Sequence, residues 1–401
     1  MRTAISDHNQ PIIARQLEKI LGYALQLQAL AIHLQSGADK LEVRYRLDNG
    51  LQTVLVLSAA YGPGLFKKIE SLAGLNAQTN EGQFKLCRSS YNAVFRALLV
   101  PTAEGPKIVL TIERQPKTQP ALADLLPSTV QTSIMSALRP SGLVVITGPV
   151  NAGKATLAQA LLKHLAKPNL NIVSLTEVPE PPIVGVNQSI IDPRRGYDWP
   201  QALHSLTRQD ADLIFLSRCD RPEILRQAIL LSTNKLVITI LPAPSVVDAL
   251  RWLTSLAPEA KLLLAQLKLL IYQQLEPRQC PHCRQAVELT AVERLAMEKK
   301  FNFEQLFKKV QSSFAKATAD EAEHNFYKTI GCANCQHSGY NGKISLQQIL
   351  LGGPLLYDWH LLPPNEQNKI IKKQTAHGLL ESALTQTLVG NLSLEQLLKL
   401  T

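Results

Sequence analysis

The sequence predicts an α/β protein in which an α+β unit precedes a larger unit built on a mainly parallel sheet. The first observation is a helical repeat followed by alternating apolar segments over residues 1–115, a pattern typical of a helix and hairpins. The second is the alternation of short β-branched strands with helical segments over residues 130–241, which indicates βαβ units. With 401 residues, 45% of them hydrophobic, the chain can bury several cores, which excludes a mini-protein or a globally disordered chain.

The first unit begins with apolar residues at helical spacing, which predict a helix over 11–33. Alternating residues 41–47 and 51–57 flank the break Asp48-Asn49-Gly50 and predict a hairpin. We expect a further helix at 64–75 and strands at 91–101 and 107–114. The proline-bearing stretch 115–128 then predicts a boundary.

The second unit opens with a predicted helix at 130–138 and continues as a βαβ series. Its predicted strands are 143–148, 171–177, 212–217 and 235–241, and its predicted helices are 155–166, 199–208 and 222–232. Beyond them come two CxxC pairs, separated by a charged helical stretch in which residues 312–324 are predicted to be an exposed insertion. The tail from about Gly352 is predicted to be helical.

The charge balance is basic. Lys and Arg number 42 against 32 Asp and Glu, a net charge of +10, which is typical of proteins that work beside phosphates or an anionic membrane surface. The N-terminal residues are too polar for a signal peptide, and no apolar run is long enough to cross a bilayer. The sequence therefore predicts a cytoplasmic location without a transmembrane segment.

A phosphate-binding loop is predicted at residues 148–156, GPVNAGKAT, because this segment follows a buried strand and precedes a helix. Glycines let backbone N–H groups wrap a phosphate, and a lysine reaches the β- and γ-phosphates. Alanine stands where the motif has the Ser or Thr that holds magnesium, and the next threonine is one position late. The alternative is a glycine-containing turn without a ligand. The candidate nucleotide-binding residues here are Gly148, Asn151, Ala152, Gly153, Lys154, Ala155 and Thr156.

Two paired cysteine motifs predict a metal site. Their members are Cys280, Cys283, Cys332 and Cys335. Four thiolates in tetrahedral reach suit zinc, and a closed all-cysteine site has a structural role. The alternative is an unmetallated thiol cluster. We expect His282 and His337 to be neighbours of the ligands, and Cys87 and Cys219 to be small core residues.

The order of these motifs resembles the secretion ATPase superfamily, the motors of type II secretion and type IV pilus assembly. The resemblance extends over nearly the whole chain, although the family's large N-terminal docking module is expected to be absent. The segments that carry it are AIHL at 31–34, VRYRLDN at 43–49, FRALLVPTAEGPKIVLTIE at 95–113, GVNQ at 185–188, LTRQDADLIFL at 206–216 and the two CxxC motifs with GYNGKISLQQIL.

This resemblance implies a RecA-like P-loop NTPase domain behind a PAS-like α+β domain. The domains expected from it are a PAS-like domain at 1–118, a RecA-like domain at 119–275, a tetracysteine zinc element with an insertion at 276–346 and a helical C-terminal region at 347–401. It also implies that Arg96 reaches the nucleotide across a domain or subunit boundary. Thr111 stands at the place of the family's second arginine.

The chain departs from the family at the residues that orient the attacking water and bind magnesium. The family's catalytic glutamate follows the strand at 212–217, but here the strand runs into Ser217, Arg218 and Cys219. Pro242 replaces the histidine of the histidine box. The acidic box has Thr176 at its first acid. It keeps the two candidate catalytic acids, Glu177 and Glu180.

These departures predict a nucleotide-binding family member with weak or no ATP hydrolysis, acting as a structural or regulatory ring component. The resemblance implies ATP and zinc as ligands, with Mg²⁺ binding impaired. It also implies a homo-hexamer or a mixed ring with an active paralogue, working in the cytoplasm or at the inner membrane beside a pilus or secretion platform protein.

Two alternatives remain. An active motor for pilus assembly or secretion would use Glu177, Glu180 or Asp212 as the missing carboxylate. A basic, zinc-containing nucleic-acid-binding protein is disfavoured because the charges are spread along the chain rather than clustered.

Overall fold

The computed structural model of the chain describes residues 10–47, 50–75, 80–87, 92–114, 120–257, 259–300, 302–315, 326–335 and 337–400. The chain divides into two compact units, Met1–Thr118 and Gln119–Thr401. No helix among the described residues is long and apolar enough to cross a membrane.

The first unit is a six-stranded antiparallel sheet with helices packed on one face. Its helices are α1 (Gln10–Gln26) and α2 (Tyr61–Ala73). Its strands are β1 (Ala31–Ser36), β2 (Lys40–Leu47), β3 (Gly50–Ser58), β4 (Glu81–Cys87), β5 (Asn92–Thr102) and β6 (Gly105–Arg114), in the sheet order β3-β2-β1-β6-β5-β4. Side chains from both helices and from alternate strand positions form one core. The predicted hairpin of β2 and β3 is confirmed.

The predicted first helix is too long. It ends at Gln26, and β1 follows as a central strand between β2 and β6. Ile32 and Leu34 are fully buried on one face of the sheet, so the apolar spacing after Gln26 has a period of two. A turn at Gln28, with φ of 56°, separates helix from strand. Strand β4 was not predicted, because it is a largely polar edge strand.

The second unit is built on an eight-stranded sheet in the order β16-β15-β12-β7-β11-β10-β8-β9. Its strands are β7 (Gly142–Gly148), β8 (Ile172–Thr176), β9 (Val186–Ile190), β10 (Leu213–Leu216), β11 (Leu236–Pro242), β12 (Leu267–Gln279), β15 (Tyr340–Leu351) and β16 (Thr375–His377). Strands from β12 to β9 are parallel, whereas β15 and β16 are antiparallel. The predicted parallel sheet is thus confirmed. Strands β9, β12 and β15 were not predicted, because polar side chains interrupt their apolar pattern.

Helices cover both faces of this sheet. They are α3 (Leu122–Leu125), α4 (Ser128–Ala137), α5 (Lys154–Leu165), α6 (Trp199–Leu206), α7 (Pro222–Leu231), α8 (Val246–Leu256), α9 (Ala260–Gln266) and α12 (Pro364–Gln374). Helices α3 to α5 pack on one face, and α6 to α9 with α12 pack on the other. The inner strands are apolar because both of their faces are covered.

A small subdomain carries the cysteines. Strands β13 (Arg284–Val287) and β14 (Phe326–Thr329) form a two-stranded sheet. Around it pack α10 (Ala291–Lys300), α11 (Phe303–Ala315), α13 (Leu379–Leu388) and α14 (Leu394–Lys399). The predicted insertion at 312–324 begins inside α11, and its remainder lies outside the described residues.

Candidate functional site

The candidate phosphate loop joins the end of β7 to the start of α5, as its sequence predicts. Three of its residues have a positive φ: Gly148 at 149°, Asn151 at 64° and Gly153 at 75°. A Cβ on Gly148 would lie 1.9 Å from the backbone oxygen of Gln273 in β12, so no side chain fits there. Gln273 also donates from Nε2 to the carbonyl oxygen of Ala152, at 2.7 Å. Sequence reasoning missed Gln273, because nothing near it in sequence links it to the loop.

Lys154 is the first residue of α5, and its side chain folds back over the loop. Its Nζ donates to the carbonyl oxygens of Gly148 and Pro149, at 3.0 and 2.5 Å. Burial lowers the pKa of this amine. Ala155 and Thr156 are exposed in the first turn of α5. A helix N-terminus, a wrapped backbone and a half-buried cation together make an environment that favours phosphate.

A second cluster lies at the same edge of the sheet and surrounds Arg218, which follows β10. Its guanidinium pairs with both carboxylate oxygens of Asp220, each at 2.6 Å, and Nη1 lies 3.0 Å from both oxygens of Glu177. Trp199 also donates from Nε1 to Glu177, at 2.7 Å. The hydrogen bonds with Asp220 raise the pKa of Arg218 and lower the pKa of Asp220. The arginine is therefore a fixed cation between two carboxylates.

The other acids that the sequence suggested are placed differently. Glu180 is partly buried, three residues beyond Glu177. Asp212 precedes β10, and its Oδ2 accepts from the backbone N–H of Asn171 at 2.8 Å. Because β10 and β7 run parallel, Asp212 lies at the edge of the sheet opposite to the phosphate loop. The suggestion that Asp212 supplies the missing carboxylate is wrong.

The residue in place of the family histidine, Pro242, ends β11 directly beside Gly148. The next residue, Ala243, donates its N–H to the carbonyl oxygen of Gly148, at 3.1 Å. Proline has no backbone N–H and no imidazole nitrogen, so this position offers no hydrogen-bond donor.

In the first unit, Arg96 is exposed on β5, directly opposite Thr111 on β6. The two positions at which the resemblance implies arginines are therefore cross-strand neighbours. Only one of them carries a guanidinium.

The four predicted metal-ligating cysteines come together, with their sulfur atoms all within 4.8 Å of one another. The Sγ distances are 3.9 Å for Cys280–Cys332, 3.8 Å for Cys283–Cys335 and 3.7 Å for Cys332–Cys335. A tetrahedron of sulfurs about 2.3 Å from zinc has edges of about 3.8 Å, so the donor set fits this ion. Among the described residues, the group consists of these four cysteines and includes no histidine.

The protonation of these thiols is set by their surroundings. Burial raises the pKa of Cys283 to about 12. Burial acts in the same direction on Cys335, but the N–H groups of Cys332 and Gly339 outweigh it and lower the pKa of Cys335 to about 6. The separate cysteine, Cys219, is fully buried as expected, and burial raises its pKa to about 12.

Comparisons with known proteins agree with this architecture. A model of the family described as type II/IV secretion system protein matches residues 6–399. The type II secretion system ATPase E of Vibrio cholerae is 25% identical over 405 residues, which cover 99% of this chain and 76% of that protein. The type IV pilus assembly ATPase PilB of Pseudomonas aeruginosa is 25% identical over 402 residues, which cover 97% of this chain and 67% of that protein.

Two solved structures share the fold. The ATPase DotB of Legionella pneumophila has a TM-score of 0.63 at 18% identity, covering 96% of this chain and 95% of that one. The pilus retraction motor PilT with bound ADP has a TM-score of 0.60 at 16% identity, covering 96% of each chain.

Proposed function

The chain belongs to the type II/IV secretion system protein family, and from this premise we propose that it is a nucleotide-binding ring component with weak or absent ATP hydrolysis. Glycines Gly148 and Gly153 would let the backbone enclose the β-phosphate, and Lys154 would exchange its loop carbonyls for phosphate oxygens. The N–H groups of Ala155 and Thr156 would add the helix N-terminus to this anion site.

The observation that carries the proposal of weak hydrolysis is the Arg218 cluster. A hydrolytic site needs a carboxylate that accepts a proton from water or orients it. Arg218 stands where the resemblance implies that carboxylate, and it engages both oxygens of Glu177, one of the two remaining candidate acids. Arg218 donates to both oxygens of Glu177 and Trp199 donates to one of them, so Glu177 is a poor substitute for a carboxylate that must hold a water molecule. An active motor would have to rely on Glu180.

The magnesium site is also incomplete, because Ala155 has no oxygen to offer the ion. We therefore propose that nucleotide binding is independent of Mg²⁺. Zinc held by Cys280, Cys283, Cys332 and Cys335 would be structural, since a site closed by four thiolates has no open position for substrate.

The expected assembly is a homo-hexamer or a mixed ring with an active paralogue, in which Arg96 reaches a nucleotide across a boundary. Such a ring would work in the cytoplasm, beside an inner-membrane pilus or secretion platform protein.

Calorimetry and turnover assays test the proposal together. The wild type should bind ADP with the same affinity with and without Mg²⁺, and Lys154→Ala should weaken binding at least about tenfold, the value of a charge-assisted hydrogen bond. ATP turnover with Mg²⁺ should not exceed that of Lys154→Ala. Turnover that appears only in the wild type would establish an active motor instead, and a wild type that binds no nucleotide would leave the loop as a turn without a ligand.

A further inference from the structure

The phosphate loop is held from outside by Gln273. Among the described hydrogen bonds, it is the only residue outside the loop whose side chain bonds to Ala152. It is 3% exposed, and its Nε2 holds the Ala152 carbonyl oxygen at 2.7 Å. A Cβ on Gly153 would lie 3.0 Å from this same nitrogen, so the loop is packed tightly around the amide. The Oε1 atom of Gln273 is buried and has no hydrogen-bond partner among the described residues.

A second buried glutamine, Gln347, lies directly opposite Gln273 in the antiparallel pair of β12 and β15. It is fully buried, and neither its Nε2 nor its Oε1 has a partner within the described ranges. Side chains directly opposite in such a pair share one face, with Cβ atoms about 4.5–5.5 Å apart. The two amide groups are therefore within reach of each other through side-chain rotation alone.

Leaving both amides unsatisfied is unfavourable, because a buried polar group without a partner loses its water and gains nothing in return. A hydrogen bond from Nε2 of Gln347 to Oε1 of Gln273 would satisfy two of the three unpartnered atoms. It would also fix the carboxamide plane of Gln273, and so the direction from which Nε2 approaches the Ala152 carbonyl.

We propose that Gln273 and Gln347 form an amide relay that positions the phosphate loop. Gln347 donates to Gln273, and Gln273 donates to Ala152. Gln347 is a positioning residue that no described hydrogen bond joins to the loop, and its own backbone N–H donates to Oγ of Ser382 in α13, at 3.1 Å. The relay thus connects the loop with the C-terminal helices. The effect of the relay on nucleotide affinity depends on the nucleotide binding proposed above.

Hydrogen exchange of the loop amides in the nucleotide-free, full-length protein tests the relay directly. In both Gln347→Met and Gln273→Met, exchange over residues 148–156 should be about threefold to tenfold faster, the factor of one lost hydrogen bond. The ADP affinity should fall by a similar factor. If Gln347→Met does not fold, Gln347→Leu is the second variant.

A matched control is Gln279→Met in the same strand. Gln279 is 1% exposed, its Nε2 donates to the carbonyl oxygen of Tyr327 at 3.0 Å, and its Oε1 has no partner in the part of the chain that is described. It therefore reproduces the local chemistry of Gln273 away from the loop. Its replacement should leave loop exchange and ADP affinity unchanged.

The double variant Gln273→Met/Gln347→Met separates positioning from stability. It should regain thermal stability relative to either single variant, because no unpaired side-chain amide remains, while loop exchange stays as fast as in Gln273→Met. Wild-type exchange in Gln347→Met, or effects that add in the double variant, would overturn the relay. If the wild type binds no ADP but the variants show the expected differences in exchange, the proposed function is wrong and the relay is supported.

Discussion

Arg218 changes what its neighbours can do. A carboxylate at this position would add negative charge beside Glu177 and Asp220, whereas the single positive charge of the guanidinium offsets part of theirs and holds their oxygens at hydrogen-bonding distance. Trp199 completes the coordination of Glu177. If the resemblance places the family's glutamate correctly, an arginine at residue 218 both removes that acid and binds Glu177, one of the two remaining candidate acids.

The Arg218 cluster predicts a pH-dependent contribution to stability. Arg218→Met should lower the free energy of unfolding at neutral pH by about 1 kcal/mol, as expected for a partly exposed bidentate pair. Because the pKa of Asp220 is lowered in the folded protein, this contribution is present above the unfolded value near 3.9 and is lost as the pH falls through the folded value.

Denaturant unfolding between about pH 3 and 8 measures this difference. The curves of the wild type and Arg218→Met should converge below about pH 4. Arg226→Met, which removes an exposed arginine from α7, is the control and should follow the wild type at every pH. A gap that stays constant down to the lowest pH would contradict the assignment.

The strands that flank Cys280 and Cys283, β12 and β13, are hydrogen-bonded to the turn that connects α13 with α14. Arg284 donates from Nη1 to the carbonyl oxygens of Val389 and Gly390, at 2.9 and 3.0 Å, and lies over the ring of Tyr327. The backbone N–H of Gln279 donates to the carbonyl oxygen of Asn391, at 2.8 Å. We therefore expect that a metal ion bound by the four cysteines would also stabilise the turn between α13 and α14.

Removal of one ligand tests this connection. The wild type should contain about one zinc ion per chain, and Cys283→Ser should lose it, because three thiolates and a hydroxyl form a much weaker site. Elemental analysis measures the metal, and hydrogen exchange should increase in β13, β14 and residues 389–391. Cys219→Ser, which replaces a buried cysteine outside the cluster, should keep its zinc. Equal zinc in both variants would exclude the predicted site.

The two units of the molecule carry different parts of the proposed function. The phosphate loop and the Arg218 cluster belong to the second unit, whereas the candidate arginine for a neighbouring nucleotide belongs to the first. A chain that hydrolyses poorly can still contribute that arginine to an active subunit, because charge stabilisation of a phosphoryl group does not depend on the donor's own active site.

A mixed ring should make this contribution measurable. Adding the chain to a paralogue with a complete set of catalytic residues should change the paralogue's ATP turnover, and Arg96→Ala should abolish most of that change. Lys85→Ala, at an exposed cation on β4, is the control and should behave as the wild type. Particle masses measured with ATP should correspond to rings; monomers alone, with and without the paralogue, would refute the assembly.

Local chemistry was readable from the chain. The phosphate loop and the paired cysteines are encoded by residues a few positions apart, and the alternation of β-branched strands with helices specified the parallel sheet. The sequence also shows that Ser217, Arg218 and Cys219, and no acid, follow β10 directly. These features depend on residues that are close together in the sequence, so they can be recognised without knowledge of the fold.

Contacts between distant residues could be seen only in the folded molecule. Arg218 and Glu177 are 41 residues apart, and Ala152 and Gln273 are 121 apart; the sheet order brings each pair together. The sheet direction likewise places Asp212 at the wrong edge, and pairing with β2 and β6 makes residues 31–36 a strand rather than the end of a helix. Long-range pairing decides these features, because burial against a partner outweighs the preferences of a local segment.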